Sequence, residues 1–274
     1  MDKNFLAPAE IVDAAVNAGK AKAERSVIYL LIMGVLAGAF IALAAQGSNM
    51  AAFNLLSDPS TYGLGRCLAG ALFAIGLMLV VITGAELFTG NTLIITAVFE
   101  KKTTIGKMLK NWVLVYIGNF IGSIIIVLII ANIGQLNGGG GLLGTVTVNI
   151  AVSKVSMSFW GVLLSGILCN WLVCLGVWLA FAADTVLGKM FGCFFPIWLF
   201  VTSGFEHCVA NMYYIPAGIL AKAVYGTQAA DVLAGLNWGT FVTNNLIPAT
   251  IGNIIGGALC VGTAYWYTLK RSQK

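Results

Sequence analysis

Two apolar stretches in this chain are too long for one straight membrane crossing and too apolar for water. Residues 67–99 contain one charged side chain, Glu86, and residues 190–221 are interrupted only by Glu206 and His207. At 1.5 Å per residue, a straight helix over either stretch would reach about 50 Å. The hydrocarbon core of a bilayer is about 30 Å thick. Each stretch must therefore tilt steeply or break. In the first, the glycines at 84 and 90 of TGAELFTGN mark the break. The second repeats the anomaly around Glu206 and His207.

Four ordinary spans accompany them, at about 27–45, 111–134, 158–181 and 246–269. Hydrophobic residues make up 59% of the chain and charged residues 9%, where soluble domains carry roughly 25% charge. That excludes a soluble enzyme and a disordered chain. Six cysteines in 274 residues are too sparse for a disulfide scaffold; without a CxxC pair they read as small packed hydrophobes. The chain is therefore all-α and polytopic, with the lipid bilayer as its solvent. The first 26 residues are polar and amphipathic, unlike a cleavable signal peptide.

The net charge of +5 does not indicate nucleic acid, because the basic residues fall in short clusters between apolar runs. With six spans, twelve of the 15 lysines and arginines lie on the side of the termini, Lys3 and Lys274 among them; the other side holds Arg66, Lys154 and Lys222. That bias predicts a cell membrane protein with both termini in the cytoplasm.

Three pairs of matching segments occur in the same order. Gly34-Val35-Leu36 pairs with Gly161-Val162-Leu163, and Gly84-x-Glu86-x4-Asn91 with Gly204-x-Glu206-x4-Asn211. Ile117-Gly118-Asn119-x-Ile121-Gly122 pairs with Ile251-Gly252-Asn253-x-Ile255-Gly256. These matches predict a duplicated three-span unit. Three is odd, so the second copy enters the membrane from the opposite side, as an inverted repeat with broken helices 2 and 5. Inverted repeats place the permeation site at their interface near the midplane. The expected organisation is an amphipathic cytoplasmic segment over 1–26, one three-helix repeat over 27–134, and an outer connecting loop over 135–157 with a flexible GGGG turn. A second repeat over 158–269 and a cytoplasmic tail over 270–274 follow.

His207, the only histidine, sits at the second break. With an ordinary pKa of about 6.5 it can serve as a proton or hydrogen-bond donor to a passing anion, or be a core histidine bonded to a neighbour. Glu86 and Glu206 occupy equivalent positions, where a carboxylate costs about 2.5–3.5 kcal/mol at the bilayer centre. They either pin the broken segments through backbone N–H groups or pair with lysines at the pore mouths. Lys22 and Lys154 precede spans one and four and suit anion attraction at the two mouths, though Lys22, with other lysines nearby, reads equally as a solvated cytoplasmic charge. Thr89, Asn170 and Asn211 are candidate donors to a small oxyanion, or interhelical packing contacts. Phe73, Leu77 and Phe200 flank the breaks as apolar constrictions or ordinary core. Cofactor or metal chemistry has no motif: HExxH, a P-loop and clustered Cys/His are all missing from the sequence.

GAELFTGN, CNWLVCLGVW, SGFEHCVANMYYIPAGI and NNLIPATIGNIIGG resemble the signature stretches of the formate/nitrite transporter family, most of all its formate channel branch. The resemblance runs from Ala18-Gly19 through Trp266. It implies an aquaporin-like protomer of six helices, assembled as a homopentamer with one pore per protomer and no cofactor. It implies that His207 is the central pore histidine, with Thr89 opposite and Asn170 nearby. Lys154, Glu206, Asn211 and Asn253 match the surrounding polar network, and Lys22 and Glu86 the inner vestibule. Phe73, Leu77, Leu87, Val173 and Phe200 match the hydrophobic constrictions. Gly90-Asn91 departs from the small hydroxyl pair of proteobacterial formate channels. The implied substrate is a small monovalent anion, formate first, with nitrite, hydrosulfide and lactate as alternatives. Readings from other classes, namely an ammonium or neutral-solute channel, a membrane enzyme or a structural scaffold, fit the lysine-flanked mouths and symmetric buried carboxylates less well.

Overall fold

A computed structural model describes residues 5–272. Lys3 and Lys274 of the charge asymmetry, and the outermost residues of the two terminal segments, lie outside that range. The described residues form helices and turns with no named strand. In chain order we label α1 (Pro8–Ala23), α2 (Val27–Leu56), α3 (Tyr62–Thr83), α4 (Phe88–Phe99) and α5 (Ile105–Asn132). These are followed by α6 (Leu142–Val155), α7 (Phe159–Ala182), α8 (Val186–Ser203), α9 (Cys208–Tyr225) and α10 (Trp238–Arg271).

Several starts have a local cause. Side-chain oxygens of Ser26, Thr104, Ser158 and Thr185 accept N–H bonds at the first turns of α2, α5, α7 and α8. These hydroxyls satisfy donors that no intrahelical carbonyl reaches. Pro8 opens α1, where its missing N–H costs nothing.

Among the described residues six helices are long and apolar enough to cross a membrane: α2, α3, α5, α7, α8 and α10. The last extends beyond the expected 246–269 to 34 residues, with wide π-type turns over 241–246, 255–263 and 267–271. Helices α1–α5 and α6–α10 form two matching sets. The repeat is thus one element longer than three spans. Residues 142–155, expected as part of an outer loop, form the helix α6, which occupies the place of α1 in the second set. The glycine run is the turn into α6, with Gly139, Gly140 and Gly141 all at positive φ.

Packing within each set brings two backbones together. A Cβ on Gly122 of α5 would lie 2.0 Å from the carbonyl oxygen of Val35 on α2. A Cβ on Gly256 of α10 would lie 2.2 Å from that of Ile167 on α7. With no hydrophobic drive between helices in lipid, such close approach supplies the dispersion contact that holds them. It also corrects the first repeat pair. Asn119 donates to the Gly34 carbonyl and Asn253 to the Gly166 carbonyl, so Gly34 corresponds to Gly166 rather than Gly161. A Gly256→Ala variant is expected to lose about 1–3 kcal/mol through forced separation of α7 and α10. An earlier thermal midpoint in detergent would report this loss.

Candidate functional site

The site is built where α3 and α8 stop short. Each ends at a glycine in the left-handed region, Gly84 at φ 80° and Gly204 at φ 81°. Ala85 N–H then donates to the Val80 carbonyl at 3.0 Å, and Phe205 N–H to the Phe200 carbonyl at 3.1 Å. These are six-to-one helix stops, which only glycine enters without strain. Residues 85–87 and 205–207 cross the break outside any helix, Leu87 and His207 extended, and the chain turns helical again at Phe88 and Cys208.

Non-helical backbone at membrane depth needs partners for its N–H and C=O groups. One asparagine per set supplies them. Asn119 Nδ2 donates to the Gly34 and Glu86 carbonyls at 2.8 and 2.9 Å, and its Oδ1 accepts from Phe88 N–H at 2.9 Å. Asn253 repeats this with Gly166, Glu206 and Cys208 at the same three distances. Asn253, expected in the polar network around His207, bonds the residues on either side of it and braces the break, and it lines neither cavity described below.

Each break also carries a buried charge cluster. Glu86 accepts from Lys22 Nζ at 2.8 Å and from Asn91 Nδ2 at 2.6 Å. Asn91 Nδ2 also donates to Asn111 Oδ1, and Asn111 Nδ2 returns to the Lys22 carbonyl. In the second set Glu206 accepts from Lys154 at 2.7 Å, Asn211 at 2.7 Å and Asn245 at 2.8 Å. Asn211 donates to Asn245 Oδ1, and Asn245 to the Lys154 carbonyl. Both carboxylates are almost fully buried, so they pair with lysines and with amide donors rather than with backbone N–H groups.

The sets differ at the residue that caps the resumed helix. His207 caps α9, its Nδ1 accepting Ala210 N–H at 3.0 Å; the corresponding cap of α4 is Leu87. A ring nitrogen that accepts an N–H bond carries no proton, so the neutral imidazole holds its proton on Nε2. That Nε2–H points at Thr89 Oγ1, 3.0 Å away. The two interrupted segments thus meet through one hydrogen bond.

Two cavities approach this junction. One is lined by Lys22, Leu77, Gly84, Leu87, Gly90 and others, with a volume of about 190 Å³. The other, about 400 Å³, is lined by Lys154, Glu206, His207, Asn211, Phe73, Phe200 and others. No residue lines both. Phe73 and Phe200 meet edge to face at 5.8 Å, and Phe200 stacks on His207 at 5.8 Å. Among the described residues no His/Cys/Asp/Glu group could hold a metal ion.

The structure brings together Lys22 with Glu86, Lys154 with Glu206 and Asn211, and His207 with Thr89. Leu77, Leu87, Phe73 and Phe200 face the cavities. Three expected pore residues line neither cavity: Thr89, bonded to His207, and Val173 and Asn170. Val173 is buried. Asn170 Nδ2 donates to the carbonyls of Thr89 at 3.1 Å and Asn253 at 2.6 Å. It positions Thr89 rather than offering a free donor. Sequence reasoning missed Asn111 and Asn245. The signal was there as Asn-x7-Asn, since each lies eight residues before Asn119 or Asn253.

Comparison with known proteins places this arrangement. The family described as "Formate/nitrite transporter" matches residues 9–267. An "Uncharacterized transporter YrhG" of Bacillus subtilis is 40% identical over 98% of this chain and 96% of its own length. "Formate channel FocA" of Haemophilus influenzae is 38% identical over 97% of this chain and 95% of its own. A solved structure described as "Pentameric formate channel with formate bound" superposes with a TM-score of 0.77 at 36% identity, covering 88% of this chain and 96% of that one. With six crossing helices, matched breaks and a family likeness spanning nearly all its length, the chain is a multi-pass membrane protein that belongs to the formate/nitrite transporter family.

Proposed function

We propose that this protein is a channel for formate in the cytoplasmic membrane, with both termini in the cytoplasm, working as a homopentamer with a pore in each protomer. The observation that carries the reading is the His207–Thr89 contact at the junction of the two interrupted segments, flanked on either side by a lysine-bearing cavity. The Lys22 cavity is then the inner mouth and the Lys154 cavity the outer one. Relatives named as formate channels support the substrate, and the solved relative, itself a pentamer, supports the assembly.

The mechanism follows from the order of groups. Lysines raise the local concentration of a small anion at each mouth. The apolar ring of Phe73 and Phe200, with Leu77 and Leu87 on the other side, rejects a bare or hydrated ion, since a charge without partners there is costly. His207 Nε2–H offers the hydrogen bond that lets a carboxylate leave water. The ring does not give up that proton, because doing so would create an imidazolate among apolar groups. The proton that neutralises formate comes from hydronium of the external solution reaching the outer cavity, which leaves water behind, and formic acid crosses with the ring still neutral. Asn170 and Thr92 hold the Thr89 carbonyl through hydrogen bonds, so the Thr89 hydroxyl stays aimed at the ring.

Uptake of labelled formate into liposomes containing the pure protein is expected to rise as external pH falls. Nitrite, hydrosulfide and lactate serve as comparators. Absence of formate flux at every pH, with one comparator transported, would reject the substrate assignment.

A further inference from the structure

The two cavities are electrically unlike. Lys22 is the single charged side chain lining the inner one. The outer one is lined by Arg66, Lys154 and Glu206, beside His207. Lys154 and Glu206 neutralise each other at 2.7 Å. Arg66 has no carboxylate partner among the described residues, so its charge is uncompensated there.

Arg66 is also held in place. Its Nε donates to the Thr202 carbonyl at 3.3 Å and its Nη2 to the Val201 carbonyl. Those carbonyls end α8, where the helix dipole favours a cation. The fork of a guanidinium has five N–H donors, and Nη1 bonds to none of the described residues. Asn49, on α2, lines the same cavity. It is 2% exposed, and its Nδ2 has no hydrogen-bond partner. A buried donor left unpaired is unfavourable and calls for an explanation.

We propose that Arg66 and Asn49 form an anion-holding station in the outer cavity, ahead of the Phe73–Phe200 ring, for a small monocarboxylate. A fixed guanidinium edge and an amide N–H suit the oxygens of a planar carboxylate. The inner cavity has no such pair, so the two mouths differ in affinity. This rests on the anion-channel reading and names the outer binding site that reading leaves unspecified.

The test compares half-saturating formate in right-side-out and inside-out vesicles. Asn49→Leu is expected to raise the outer value about three- to tenfold. The inner value and the thermal midpoint are expected to hold, because the amide has no protein partner to lose. Arg66→Gln raises the outer value further, and Arg66→Lys only partly spares it. Should the arginine variants fail to assemble, Asn49→Leu alone decides. An unchanged outer value in Asn49→Leu, with formate flux intact, overturns the station. Wild-type vesicles that pass no formate in either orientation would instead overturn the channel reading.

Discussion

Formate flux through a His207→Phe variant is expected to fall about 10- to 100-fold, while what flux remains still rises toward acid pH, because that rise belongs to formate itself. The phenyl ring keeps the stack on Phe200 but removes the donor that faces Thr89 and the acceptor that caps α9. The lost cap costs about 1 kcal/mol, so assembly should survive and the defect should be one of permeation. His207→Asn separates two contributions of the ring. An asparagine can still accept from Ala210 N–H and donate across the junction, yet it cannot titrate. If the histidine acts as a fixed hydrogen-bond donor, the asparagine variant keeps substantial flux and the acid stimulation, which then belongs to formate itself. If the asparagine variant matches the phenylalanine one, the imidazole has a role beyond donation. Initial rates in proteoliposomes from about pH 5 to 8, the range in which an ordinary imidazole changes charge, decide between them.

The largest stability effect is expected at the outer charge cluster. Glu206→Leu leaves Lys154 buried without its counter-ion and strips acceptors from Asn211 and Asn245. Breaking one side of a buried pair costs about 3–5 kcal/mol. Removing both charges together, as Lys154→Met with Glu206→Leu, should recover more than half of that loss. The double variant should nonetheless conduct poorly, since Asn211 and Asn245 lose their shared acceptor beside the outer cavity. Thermal midpoints in detergent, read beside flux, check both statements. Equal midpoints for the single and double variants would mean that the pair is not coupled.

The interrupted rods were legible because they break two rules at once. A run of 33 nearly uncharged residues exceeds one crossing, and Glu86 or Glu206 interrupts each run beside a glycine. Lys154, His207 and Asn211 stood out against apolar surroundings for the same reason. What the sequence hid was the identity of partners. Asn170 looks like a free amide in an apolar helix, and only the folded chain puts the Thr89 and Asn253 carbonyls against it. Asn111 and Asn245 look like ordinary interhelical glue. Their roles depend on Lys22 and Lys154 carbonyls from segments about 90 residues away. α6 escaped notice because 14 residues are too few to cross a bilayer, and four glycines precede it. The mistaken pairing of Gly34 with Gly161 arose from a local triplet, whereas the true partner, Gly166, is selected by the asparagine that bonds its carbonyl.

Because α1 takes the same place in its set as α6 does in the other, the segment ahead of the first crossing is half of a matched clamp. Lys22 sits on it and reaches Glu86 across the inner cavity. Trimming the chain to begin at Ser26, as is often done to tidy a flexible leader, would strand that carboxylate in the membrane interior. Such a shortened protein would be a poor reference for the native pore, and affinity tags are better joined at the opposite terminus.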